Sequence, residues 1–339
     1  MADELIVQRP QGLYCPPGDF YIDPWRAVDR AVITHAHSDH ARRGHRHYLA
    51  HASSAGLLRA RLGAHIALQT VAYGEVVDHH GVRVSLHPAG HVLGSAQVRV
   101  EHAGRVWVAS GDYKLEADPT CTPFEPVRCD VFITESTFGL PIYRWPDPAG
   151  VFAELNAWWA RNAAVGRPTV VYAYSLGKAQ RLLMGIDARI GPILVHGALE
   201  AMNAVYRAEG VPLPPTRAFD DPALGAAECS RALVLTPPGA SEPAWLREAS
   251  DAFASGWMQV RSQRRRSPAE RAVVLSDHAD WPGLQRAIRA TGAPRVIVTH
   301  GSEEVMVRWL SEKGLQAGRF GMPPGIATED ARVQAAASA

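Results

Sequence analysis

Residues 31–40 read Ala31, Val32, Ile33, Thr34, His35, Ala36, His37, Ser38, Asp39, His40: an apolar run that stops at three imidazoles and a carboxylate. Alternation along an extended chain points His35 and His37 the same way, so both reach one ion, while Asp39 and His40 face a second position. Imidazole with carboxylate suits zinc or manganese, with iron as a further option, better than calcium or copper. Two such ions about 3.5–4 Å apart are the usual clamp for phosphoester hydrolysis. Helix capping would explain Asp39 but gives three histidines nothing to do.

Working outward, the same punctuation recurs. β-Branched runs at 106–109, 131–134, 273–275 and 296–299 stop at Ser110-Gly111-Asp112, Glu135-Ser136-Thr137, Ser276-Asp277-His278 and His300-Gly301. Such runs read as buried strands. Five strands then deliver Asp, Glu or His at their C-terminal ends, where α/β folds gather ligand-binding loops, so the five ends are expected to form one site. Two more runs, 82–86 and 95–101, flank a loop that carries His91 between Gly90 and Gly94.

Between 142 and 267 the texture changes to helices at 150–162 and 177–188 alternating with strands at 169–172, 193–196 and 232–236, a βαβ-type insert. Proline-rich joints at 141–148 and 212–215 punctuate it, and no internal repeat is visible. The motif-bearing ends lie on both sides of the insert, so the outer segments are expected to make one discontinuous domain.

The chain has 339 residues, 47% of them hydrophobic, enough for two cores, and a formal net charge of +1. That balance gives no general basic field, so affinity for a polyanion has to come from a local patch. Arg261, Arg264, Arg265 and Arg266 form one candidate, with a merely solvated loop as the alternative. Ser175-Leu176-Gly177-Lys178 sits where a strand turns into a helix; Ser175 and Lys178 are candidates for a non-scissile phosphate, against an ordinary N-cap with a solvated lysine. Ser276 joins them. The Trp158-Trp159 pair on an amphipathic helix reads as core. Four scattered cysteines without Cys-x-x-Cys spacing argue against a disulfide framework and a thiolate zinc site. With neither a signal-peptide core nor an apolar run of membrane length, the expectation is a cytoplasmic protein with no membrane partner, ending in a disordered tail at 327–339. His45, His47, His51, His65, His79, His80, His87, His102 and His196 are expected to be structural or surface residues.

Taken together, the motifs resemble the metallo-β-lactamase superfamily, and within it the β-CASP nucleases. Asp23 resembles the first motif acid, His35-x-His37-x-Asp39-His40 the second motif, His91 in Gly-His-Val-Leu-Gly the third, and Asp112 in Ser-Gly-Asp-Tyr the fourth. Glu135, His278 and His300 resemble the three β-CASP motifs that follow. The resemblance covers nearly the whole chain, and its order and spacing carry more than any single motif. It implies an α/β protein, α+β in layer terms: an αββα sandwich at 1–141 and 268–326, with the β-CASP domain inserted at 142–267. It further implies two divalent ions, the first on His35, His37 and His91, the second on Asp39, His40 and His300, with Asp112 bridging and Asp23 orienting a ligand. His278 would be the general acid and Glu135 its orienting partner. The stretches 137–145, 175–181 and 255–261 narrow the resemblance to bacterial ligase-associated DNA exonucleases, which implies single-stranded DNA ends as substrate, 5′ to 3′ polarity, a role in repair, and association with an ATP-dependent DNA ligase and a helicase. His300 pulls toward RNA, since RNA-acting β-CASP members tend to carry His there. A small-molecule hydrolase of the same fold is a further alternative, against which the basic insert argues.

Overall fold

The computed structural model describes residues 4–320; the expected tail at 327–339 lies outside them. The chain divides into two compact units, one built from the chain up to Tyr143 and from His278 onward, the other from Arg144–Asp277.

The first unit contains a six-stranded and a seven-stranded sheet. Strands Phe20–Ile22 and Arg30–Val32 belong to the six-stranded sheet and pair in parallel. The seven-stranded sheet is antiparallel through Val82–Pro88, Ala96–His102 and Arg105–Ala109, then runs parallel from Arg105–Ala109 through Val131–Glu135 to Arg295–Thr299. Alternation explains how the sheets meet: Val84, Leu86, Val98, Val100, Trp107 and Ile133 of one sheet share a core with Cys15, Phe20, Ile22 and Val32 of the other. The opposite faces of the parallel strands, through Val108, Phe132, Val296 and Val298, bury Leu284, Ile288, Met306 and Leu310 from helices Trp281–Thr291 and Glu303–Glu312. Val131–Glu135 is buried on both faces, apolar through Ile133, while its last two residues are hydrogen-bonded, Thr134 to the Tyr113 hydroxyl and Glu135 to the Tyr113 N–H.

The second unit is a six-stranded, all-parallel sheet with helices between its strands, beginning with Pro148–Ala164, whose N1 proline and Asp147 cap start it cleanly. Trp158 and Trp159 are buried, as their helical position suggested.

Two sequence expectations change here. The strand expected at 273–275 runs Arg271–Val273 and pairs with residues 252–254 of the insert's sheet, so the boundary expected at 267/268 falls after Asp277. A parallel strand is held by its ladder, and that ladder lies in the insert. The five strand ends therefore belong to three sheets: three to neighbouring parallel strands of one, Arg30–Val32 to the second, Arg271–Val273 to the third. No disulfide forms among the described residues; Cys15 is buried and the other three cysteines are partly exposed.

Candidate metal centre

The centre assembles where Arg30–Val32, Arg105–Ala109, Val131–Glu135 and Arg295–Thr299 end, joined by the loop that carries His91. Two glycines make the approach possible. Gly94 (φ +69°) leaves no room for a Cβ, which would sit 2.4 Å from the Ser54 nitrogen; at Gly111 (φ +57°) a Cβ would lie 2.7 Å from that of Thr34. His91 is fixed by Ser95, whose hydroxyl accepts the backbone N–H groups of His91 (3.1 Å) and Val92 (3.2 Å).

His35, His37, His91 and Asp112 each offer a ligand atom, all within 4.8 Å of one another and all buried. The spacing is informative. His37 Nδ1 lies 3.1 Å from His35 Nε2 and 3.0 Å from His91 Nε2. Three imidazoles cannot all satisfy one another through these atoms, whereas nitrogens at 2.0–2.1 Å from one tetrahedral ion stand about 3.3 Å apart. The donor set fits a divalent ion of the zinc type. Asp112 Oδ2 looks toward both halves of the site, 3.6 Å from His35 Nε2, 3.9 Å from His91 Nε2 and 3.3 Å from His40 Nε2.

The second half is looser. His40 Nε2 is 3.8 Å from Asp39 Oδ2, and the His300 ring centroid lies 5.7 Å from that of His40. His300 holds φ +56° and Asp23 φ +43°, conformations that cost a non-glycine residue energy and are held here by their surroundings.

Asp23 explains the orientation of both halves. Its Oδ2 accepts His40 Nδ1–H at 2.7 Å and the Thr34 hydroxyl at 2.5 Å, and its Oδ1 accepts the Thr34 backbone N–H at 2.8 Å. With its own proton given to Asp23, Thr34 Oγ1 is left to accept from His35 Nδ1 at 3.0 Å. One carboxylate oxygen, Oδ2, thus sets the tautomers of two histidines, one directly and one through a hydroxyl, leaving both Nε2 atoms toward the centre. Sequence reasoning missed Thr34; the available signal was a hydroxyl closing an apolar run directly before the first histidine.

Electrostatics follow from burial and these neighbours. Burial drives His35 well below the ordinary imidazole range, helped by His40 and His91. For His40 burial pulls the same way, but the carboxylates of Asp112, Asp39 and Asp23 outweigh it and hold its pKa well above normal. Asp112 is opposed by burial, yet His40 and His278 keep it well below the usual carboxylate range.

On the other side of Asp112 stand Glu135 and His278, which form a second buried group with it. His278 Nδ1 is 2.9 Å from Glu135 Oε2 and 3.2 Å from Oε1, while Glu135 Oε1 also accepts the Tyr113 N–H at 2.8 Å. A carboxylate can only accept, so this pair requires a proton on His278 Nδ1. The His278 ring is 4.6 Å from that of His91.

The remaining candidates lie in the second unit. Lys178 is buried rather than solvated, its Nζ 3.2 Å from Asp277 Oδ1 and 4.3 Å from the Tyr174 ring centre, so within this unit its charge is already engaged. Ser276 is buried, with its carbonyl accepting from Arg181. The carbonyl of Ser175 accepts from Gln180, whose other side-chain atom caps Gly177. Lys178 is thus a paired, buried lysine and not the solvated one the local sequence suggested: a buried lysine needs a counter-charge, and it takes Asp277. Arg261, Arg264, Arg265 and Arg266 are exposed on the short helix Arg261–Arg266. Of the histidines set aside, His45 accepts the Val28 N–H, His51 that of Ser53, and His196 that of Ala198.

No family model matches the chain. A region of a protein called "Probable DNA ligase" from Opitutus terrae is 32% identical over 320 residues, 93% of this chain and 31% of that protein. "Cleavage and polyadenylation specificity factor subunit 3" of Dictyostelium discoideum is 32% identical over 124 residues, and "Endoribonuclease ysh1" of Aspergillus fumigatus 32% over 125, each across 35% of this chain, with 16% and 14% of the relatives covered. The chain thus spans about a third or less of the length of these curated relatives. A crystal structure of a protein of unknown function from Enterococcus faecalis aligns with a TM-score of 0.56 at 12% identity, over 88% of this chain and 80% of that one, a likeness of fold.

Proposed function

We infer, for a chain that belongs to the β-CASP branch of the metallo-β-lactamase superfamily, a two-metal nuclease that removes nucleotides from single-stranded DNA ends, 5′ to 3′, in DNA repair. In this reading the first unit is an αββα metallo-β-lactamase domain and the second its β-CASP insert. The observation that carries nuclease chemistry is Asp112, shared between the imidazole cluster on one side and the Glu135–His278 pair on the other. DNA is favoured because the relative called a probable DNA ligase aligns across 93% of the chain, whereas the endoribonuclease aligns across 35%. The same alignment supports action beside a DNA ligase. Among the described residues no helix is long and apolar enough to cross a membrane.

His35, His37 and His91 would hold one ion, Asp39, His40 and His300 the other, with Asp112 between them. Zinc, manganese or iron would supply, when bound, Lewis acidity for the phosphoryl oxygens and activation of water. The chain's own residues do the rest. Asp23 and Thr34 keep the ligand nitrogens aimed. His278, its Nδ1 held by Glu135, donates a proton from Nε2 to the departing oxygen of the ester. Burial of the cluster excludes bulk water and strengthens each of these interactions.

A second reading, cleavage of RNA, is favoured by His300 and by the name of the Aspergillus relative. Incubation with zinc or manganese and matched end-labelled DNA and RNA strands separates the two: progressive shortening of DNA from the 5′ end is expected, and cleavage of RNA alone overturns the DNA assignment. Thioester turnover without cleavage of either strand would overturn the nuclease reading itself.

A further inference from the structure

The second unit carries a groove of about 970 Å³ between the helix Pro148–Ala164 and the segment that includes the strand Arg271–Val273. Trp158 lies in its floor, with the Arg271 guanidinium 5.5 Å from the ring centre. The charges around it are unequally engaged. Among the carboxylates, Asp147 caps the helix through the Ala149 N–H, and Glu270 accepts both Arg167 (2.7 Å) and the Ser250 hydroxyl (2.8 Å). Glu154 is exposed. Against it stand three exposed arginines, Arg161, Arg264 and Arg271, none in an ion pair among the described residues. Arg264 donates through Nε to the Met258 carbonyl, which anchors its stem. Its helix adds Arg261, Arg265 and Arg266 with no acid among its six residues.

We propose that this groove is a track for single-stranded nucleic acid, its arginines gripping successive phosphates of the strand. The inference rests on the nuclease reading for its biological sense, and on charge complementarity for its ligand. Guanidinium groups that protein carboxylates leave unneutralised are suited to phosphate oxygens, and the affinity that results is sequence-independent and salt-sensitive. Trp158 is buried, so the grip is on the backbone, with little stacking of bases. An acidic peptide would find the same charge, but a phosphodiester chain carries one at every repeat.

The test is fluorescence anisotropy with the full chain and a labelled, phosphorothioate-linked oligothymidylate of about 20 nucleotides, which keeps its charge and resists hydrolysis. Arg161→Glu/Arg271→Glu, with thermal unfolding as the check on folding, is expected to weaken binding at least tenfold and to flatten the slope of log affinity against log salt by about 1.4, or about 0.7 for each phosphate no longer gripped. Unchanged affinity and slope overturn the proposal, as does displacement of the oligonucleotide by polyglutamate at equal charge concentration, which makes the groove a peptide surface. Turnover of bis(p-nitrophenyl) phosphate by the unaltered protein reports on the nuclease reading separately: its absence alongside arginine-dependent binding leaves the track in place and removes the catalysis.

Discussion

Both units run neighbouring strands in parallel, yet what stands at the C-terminal ends differs in kind. In the first unit Asp112, Glu135 and His300 follow or close three adjacent strands and meet the imidazoles of His35, His37, His40 and His91. In the second, two polar residues at comparable places are used locally: His196 accepts the Ala198 N–H and Ser255 that of Trp257, each capping the helix that follows. A strand end becomes a reactive centre where its polar atoms cannot satisfy one another. Three ring nitrogens about 3 Å apart demand a cation; a histidine capping a helix demands nothing more.

The largest break in that contrast is expected from Asp112→Ala. Losing the carboxylate that faces both halves should empty the centre of metal, measured by elemental analysis of the purified protein, and abolish hydrolysis. A variant that keeps two ions per chain would contradict the shared role. His278→Ala should separate holding metal from chemistry: metal content unchanged and kcat lower by about 10²–10⁴-fold, the range for a general acid. Equal losses of metal and rate would make His278 a ligand instead.

Thr34→Val tests the hydroxyl that links Asp23 to His35. The substitution keeps shape and removes one donor and one acceptor, so metal affinity should fall about 10–100-fold, with Thr34→Ser restoring it. Cobalt substitution, followed by its visible absorption, would show whether the three-histidine position is the one disturbed. An unaltered spectrum and affinity would leave Thr34 a plain structural residue.

The smallest effect sharpens the comparison from the other side, through a histidine of the first unit that behaves like those of the insert. His51 accepts the Ser53 N–H at 3.3 Å and stacks on Tyr73 at 3.5 Å between centroids, and burial lowers its pKa from 6.5 to about 4. The fold therefore holds His51 neutral while the unfolded chain protonates it at 6.5, so its contribution is intact above 6.5 and is lost as pH falls toward 4. His51→Asn keeps a capping oxygen and removes the titration. It should reduce the acid-induced loss of stability over that range by at most about 3 kcal/mol, read from denaturant unfolding at each pH. An identical pH slope in both proteins would show that the capping histidine is not what titrates.

Why some residues were readable and others were not follows from distance along the chain. His35, His37, Asp39 and His40 fall within six residues, and a short apolar run before them is enough to place them at a strand end. Glu135 was readable because a buried strand that ends in a carboxylate needs a partner; which partner was not, since His278 lies 143 residues away. Lys178 looked like a phosphate contact because nothing local opposes it, and its counter-charge, Asp277, stands 99 positions on. The run at 273–275 looked like a further strand of the metal-bearing sheet because apolar β-branched residues carry no label for the sheet that they join.

By itself the sequence determined which side chains can bind a metal, that they close apolar runs, and that an α/β insert separates them, because residue type and local periodicity are properties of short segments. Tertiary structure alone decided that Asp112 faces both histidine sets, that Thr34 relays Asp23 to His35, and that three arginines on the insert form no ion pair among the described residues. Those are outcomes of hydrogen bonding and charge placement between segments that local periodicity does not relate, from the 11 residues between Asp23 and Thr34 to the 143 between Glu135 and His278, and only the folded chain brings such segments within reach.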